Sequence, residues 1–163
     1  MPASEDLDLI HHGHRYERLS GRFSEQEVAL MKQLAEHAAT DVSVWFRWAL
    51  MTIVYERLPQ ENALPVMKAS ILTFKGLAKT LGPTKRVFQV RYPIVIRQRL
   101  APIFAYMPDL KPGTFLRWVL AEYAPRTLEA PSRAQLDAAA DEKLQHLREE
   151  AKKRPPTPDW KVL

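Results

Sequence analysis

The stretch Lys85–Val95, KRVFQVRYPIV, decides how this chain folds. Phe88, Val90 and Tyr92 alternate with Val87, Gln89 and Arg91, the period-2 pattern of a strand with one apolar face, and Pro93 stops it. Everything around it reads helical. A lone strand leaves its backbone donors and acceptors unsatisfied, so this one must pair. A second stretch with strand patterning is RYERLSGRF, residues 15–23. There Leu19 and Phe23 set an inward face and Arg18, Ser20 and Arg22 an outward one, with Gly21 where an inward side chain belongs.

Each strand leads into a similar pair of helical segments. After the first, Ser24 and Glu27 have the spacing of a capping box, and Val28, Met31, Leu34, Ala35 and Ala38 make an apolar helical face. TDVS breaks that helix, and with Ser43 as N-cap a second helix is expected from Val44 to about Leu58, before Pro59. After the second strand, Pro93 opens a helix carrying Ile94, Ile96, Leu100, Ile103, Phe104 and Met107, bent at Pro102. PDLKPG breaks it, and another helix opens at Thr114. The second helices read VWFRWAL and TFLRWVL, aligning Arg47 with Arg117 and Trp48 with Trp118 at an offset of 70, while the strands align at 69. The chain therefore contains a strand–helix–helix repeat. The expected fold is mainly α with one two-stranded antiparallel ribbon, the halves related by a pseudo-twofold.

The expected organisation is a tail over 1–14, a domain over 15–128 and a charged C-terminal helix and tail over 129–163. Within the domain, repeat one covers 15–58 and repeat two 85–128. Between them, residues 59–84 are too long for a bare loop, and Met67, Ile71, Phe74, Ala78 and Leu81 predict a covering helix. The tryptophans, with Phe46, Leu50, Ile53, Val54, Leu116, Val119 and Leu120, are expected to form a shared core.

Of the 163 residues 46% are apolar and 26% charged, the balance of a folded chain, and cysteine is absent, which excludes disulfides and thiolate metal sites. The longest apolar run, VWFRWALMTIVY, is interrupted by Arg47 and too short to span a bilayer. A cytoplasmic protein is the expectation. Net charge is +5, unevenly spread. Residues 85–128 carry eight Lys/Arg against Asp109 and Glu122, whereas residues 15–58 balance six against six. The basic excess thus accompanies the second strand.

The stretches LSGRFSEQEVALMKQLAEHAATDVSVWFRWAL and VFQVRYPIVIRQRLAPIFAYMPDLKPGTFLRWVL resemble ribbon–helix–helix DNA-binding proteins. Two copies in one chain are similar to the fused members of that family. Among these are the TraY-type conjugation accessory proteins and the Vir-region protein that assists transferred-DNA processing in plant-transforming bacteria. The resemblance implies an antiparallel ribbon in the major groove of double-stranded DNA, helping a separate relaxase at a transfer origin or border. It makes Arg18, Ser20, Arg22, Val87, Gln89 and Arg91 the base-reading set. Arginine suits guanine, glutamine suits adenine and valine packs on the thymine methyl, each good bidentate pair giving about 1–3 kcal/mol of discrimination. The second-helix N-termini, at Ser43–Val44 and Gly113–Thr114 with Lys111 beside the latter, are expected to face phosphates. A plasmid-borne repressor using the same surface is the second reading, and a protein–protein module without DNA binding the third.

No enzymatic activity, metal or cofactor is expected. His11, His12 and His14 precede Tyr16, but such ligands need a rigid frame and these lie in a glycine-containing tail. With five glycines in the chain, no phosphate-cradling loop can be written. Arg47 and Arg117 repeat, but beside apolar helix faces they are expected to pack their stems structurally.

Overall fold

The computed structural model describes residues 16–153. The histidine cluster and the final PPTPDW segment lie outside them. Two strands pair antiparallel, β1 (Tyr16–Ser24) with β2 (Thr84–Pro93). The first strand leads into α1 (Glu25–Ala38) and α2 (Val42–Thr52), which continues as a π-helical turn over Ile53–Arg57. Helix α3 (Ala63–Ala78) leads to β2, and α4 (Ile94–Tyr106) and α5 (Pro112–Glu129) come after it. The chain divides into two compact units, the first ending at Ala130 and the second beginning at Pro131. The second contains α6 (Arg133–Lys153). The result is mainly helical with one two-stranded sheet, and among the described helices none is long and apolar enough to cross a membrane.

Alternation sorts the strands as their sequences require. Leu19, Gly21 and Phe23 of β1, and Val90 and Tyr92 of β2, are buried. Arg18, Ser20, Arg22, Val87, Gln89 and Arg91 are exposed. Phe23, Phe46 and Phe88 cluster beneath the sheet with ring centroids 5.9–6.4 Å apart. Each second helix crosses to the other half's strand, α2 packing against β2 and α5 against β1. This crossing explains the glycine at an inward position. A Cβ on Gly21 would lie 3.3 Å from the Gly113 Cα and 3.1 Å from the Phe23 ring, so the two glycines let α5 meet β1 backbone to backbone. Gly21→Val is expected to lower stability by about 1–3 kcal/mol in denaturant unfolding, despite valine's higher strand propensity, because overpacking separates helix from strand.

Several boundaries differ from those expected. Asp41, not Ser43, caps α2, its Oδ1 accepting from the Val44 N–H at 2.9 Å, so the helix begins at Val42. Aspartate and serine cap about equally well, and with Asp41 as N-cap the Trp45 N–H reaches the Asp41 carbonyl at 3.2 Å, so the opening turn is already helical. Helix α5 begins at Pro112 rather than Thr114. The regular helix predicted to run to Leu58 widens at Ile53, where the Leu58 N–H donates to the Ile53 carbonyl at 2.9 Å. At the end of that turn Arg57 lies 5.2 Å over the Trp118 ring and donates to Glu122 at 3.0 Å. Ser70 of α3 donates to the same carboxylate and accepts from the Trp118 indole at 3.0 Å. Trp118 is buried, but Trp48 is 48% exposed and does not join the core. Helix α3 covers α5 and supplies Trp118 with its partner. The buried face of α2 is instead occupied by Trp45, Phe46, Ala49 and Leu50, which turns Trp48 outward.

Candidate nucleic-acid interface

The outward face of the sheet forms one polar row. Register places Arg18 opposite Arg91, Ser20 opposite Gln89 and Arg22 opposite Val87. All six expected base-reading residues therefore share one exposed surface. Two features join it that the sequence pattern did not single out. Tyr16 lies beneath the Arg91 guanidinium, 5.6 Å from ring centroid to Cζ, which holds that side chain at the edge of the row. Lys85 sits exposed at the bulge where register shifts opposite Phe23 and Ser24. Tyr16 was legible as an alternating position, whereas the bulge arises only when the strands pair.

Electrostatics set this face apart from an ordinary solvated strand surface. Like charges directly opposite on a sheet destabilise it, and Arg18 faces Arg91 across the strands. Arg18 and Arg22 make no ion pair among the described residues, and the row contains no carboxylate. The nearby acids are engaged to the side, Glu17 with Arg97 at 2.8 Å and Glu25 with Arg86 at 3.7 Å. The arrangement suits an anion with repeated charges.

The two helix N-termini differ. At α2 the Asp41 cap already accepts the Val44 N–H and places a negative charge there, which disfavours a phosphate. At α5 the N-cap is Lys111, with no side-chain cap hydrogen bond, and Pro112 at the first position contributes no donor. The Gly113 and Thr114 N–H groups are thus the uncapped donors, with Lys111 exposed next to them. Of the five residues expected to face phosphates, Lys111, Gly113 and Thr114 lie at a helix start without a side-chain cap. Ser43 lines a cleft instead, and Val44 has spent its N–H.

A cleft lies at each flank of the sheet. One, about 510 Å³, is lined by Tyr16, Asp41, Val42, Ser43, Arg47, Phe88 and Arg91. The other, about 410 Å³, takes in Arg18, Leu19, Tyr92, Arg97, Phe104 and Pro112. Each thus joins an outward arginine to the start of a second helix. Burial pushes the Tyr92 phenol above its ordinary 10.0, Arg97 opposing the shift and Glu17 adding to it. Between the unfolded and folded values the native state keeps a proton that the unfolded chain has lost. The Tyr92 contribution to stability is therefore constant well below pH 10 and falls as pH rises above it, and Tyr92→Phe should flatten that part of the alkaline decline in unfolding curves.

The repeated arginines have separate fates. Arg117 donates from Nε to both Glu27 oxygens at 2.9 and 3.0 Å, with 15% of its side chain exposed against 7% for Glu27. Arg117 is thus structural, as expected. Glu27 also accepts the Ser24 N–H at 2.9 Å while Ser24 Oγ accepts the Glu27 N–H, so one carboxylate closes the capping box and ties α1 to α5. In the second half the strand offset of 69 brings Ile96 to the place of Glu27. Among the described residues Arg47 gains no such carboxylate and its buried Nε has no hydrogen-bond partner; it lines the first cleft with Arg91.

Compared with protein-family models, with curated proteins and with solved structures, the chain matches none.

Proposed function

We propose that the chain binds double-stranded DNA as a tandem ribbon–helix–helix, laying β1 and β2 in the major groove. The observation that carries this is the outward row of Arg18, Ser20, Arg22, Val87, Gln89 and Arg91 over an apolar inner face, with arginine opposed to arginine. A two-stranded ribbon has the width of the major groove, and these side-chain types match its donor, acceptor and methyl pattern. The register supports the pseudo-twofold relation of the halves. With residues 69 apart as counterparts, Ser20 lies opposite its own counterpart, Gln89. Arg18 lies opposite Arg91, the counterpart of Arg22, and Arg22 opposite Val87, the counterpart of Arg18. An axis through Ser20 and Gln89 relates both pairs.

Because the halves are fused and unlike, Arg-Ser-Arg and Val-Gln-Arg read an asymmetric site. Lys111 and the Gly113 and Thr114 N–H groups hold a phosphate beside it, and Arg47 reaches one on the opposite flank. The resemblance of both halves to transfer accessory proteins makes the biological role assistance to a relaxase in plasmid or transferred-DNA processing.

Titration against labelled random duplex, and then selection of the preferred site, tests this reading. Binding should weaken steeply with salt, log K falling with log salt at about −0.9 per neutralised phosphate. A selected site beside a nick sequence supports the transfer role, whereas one overlapping a promoter replaces it with repression. No binding at low salt refutes the DNA reading altogether.

A further inference from the structure

Helix α6 is exposed along its whole length: no residue from Arg133 to Lys153 is buried. Its start is well specified, the Ser132 N–H donating to Gln135 Oε1 and the Gln135 N–H to Ser132 Oγ. Yet most helical stability in proteins comes from burying an apolar face, and none of this helix's described residues is buried. Leu136, Ala140, Leu144, Leu147 and Ala151 recur at steps of four, four, three and four. At 100° per residue they fall within an arc of roughly 80°, a narrow seam of coiled-coil type. Leu136, Leu144 and Leu147 are each about half exposed.

We propose that this seam binds the same seam of a second copy of the chain, antiparallel. The charges beside it choose both occupant and direction. Asp141 and Arg148 stand seven residues apart on one edge, Lys143 and Glu150 seven apart on the other. An antiparallel pair centred between Gln145 and His146 sets Leu144 against the partner's Leu147, and Ala140 against the partner's Ala151. Asp141 then faces the partner's Arg148, and Lys143 faces the partner's Glu150. The twofold repeats both, giving four opposite-charge pairs. A parallel, in-register pair instead brings Lys143 to the partner's Arg148, a repulsion. Asp141, Lys143 and Arg148 make no ion pair within the described chain, and Glu150 approaches only His146, at 3.4 Å. Two DNA-binding units are thereby joined tail to tail, but the pairing needs no DNA.

The cysteine-free sequence permits a direct test by disulfide trapping without DNA. Leu144→Cys and Leu147→Cys chains are oxidised separately and mixed. The antiparallel register predicts that the mixture forms crosslinked dimer on the order of tenfold faster than either variant alone, since bridging requires close Cα atoms. Both variants linking to themselves as fast as to each other overturns the direction, and no linking in the mixture overturns the dimer. As a second measurement, Arg148→Asp should slow trapping by about tenfold, and adding Asp141→Arg should restore it. Failure of that rescue removes the charge argument. Loss of trapping with DNA binding intact leaves the ribbon reading standing, and the converse holds as well.

Discussion

On a selected duplex, the Arg22→Ala/Arg91→Ala protein binds at least about thirtyfold more weakly than the unaltered chain, with its unfolding midpoint unchanged or raised. The two side chains sit on the exposed row and contribute nothing to the core, so their loss leaves the inner packing of Leu19, Phe23, Val90 and Tyr92 intact. Each removes a guanidinium able to form a bidentate base contact, worth about 1–3 kcal/mol, and the effects of two well-separated contacts add. The salt slope should also become shallower by up to about two phosphates' worth. Arg18→Ala provides the sharper version. It removes a like-charge contact across the strands, so the sheet should gain up to about 1 kcal/mol while affinity falls. A protein that becomes more stable as it loses its ligand identifies a functional surface, because nothing in folding favours the residue. Anisotropy titrations alongside denaturant unfolding measure both quantities, and unchanged affinity in the double variant would remove the ribbon as the reader.

Glu27→Ala should lower unfolding free energy by roughly 3–5 kcal/mol, the largest loss expected from any single change outside the apolar core. The carboxylate belongs to a residue that is 6% exposed, accepts both the Ser24 N–H and the Arg117 Nε–H, and leaves a largely buried guanidinium unpaired when removed. The sign reverses for a paired replacement. Glu27→Leu with Arg117→Met removes both charges and fills their volume, so the double variant should be more stable than either single one, losing chiefly the roughly 1 kcal/mol of the capping box. A double-mutant cycle in urea separates the pair from the cap. If Glu27→Ala costs under about 1 kcal/mol, the ion pair is not closing the junction between α1 and α5.

Sequence alone determined the order of the elements and the two faces of each strand. Period-2 alternation in KRVFQVRY and RYERLSGRF sorted each strand into inward and outward sets, because a side chain on a pleated strand has only two directions. Pairing came from the need to satisfy backbone groups, and the strand–helix–helix repeat named the partner. The covering helix around Ile71 and the capping box at Ser24 were legible for the same local reasons. Tertiary structure decided matters that depend on what arrives from far along the chain. The capping glutamate looked like a local device; only when α5 crosses to the first half does Glu27 become the partner of Arg117. Trp48 and Trp118 occupy matching places in the repeat, yet α3 packs against α5 and its Ser70 meets Trp118, so that tryptophan is buried while Trp48 is not. Gly21 was an anomaly in the strand pattern until Gly113 met it at backbone distance. Local chemistry selects each element's conformation within a few residues. The use of a buried charge, a glycine or an aromatic ring is set by a neighbour that no periodicity within its own element encodes.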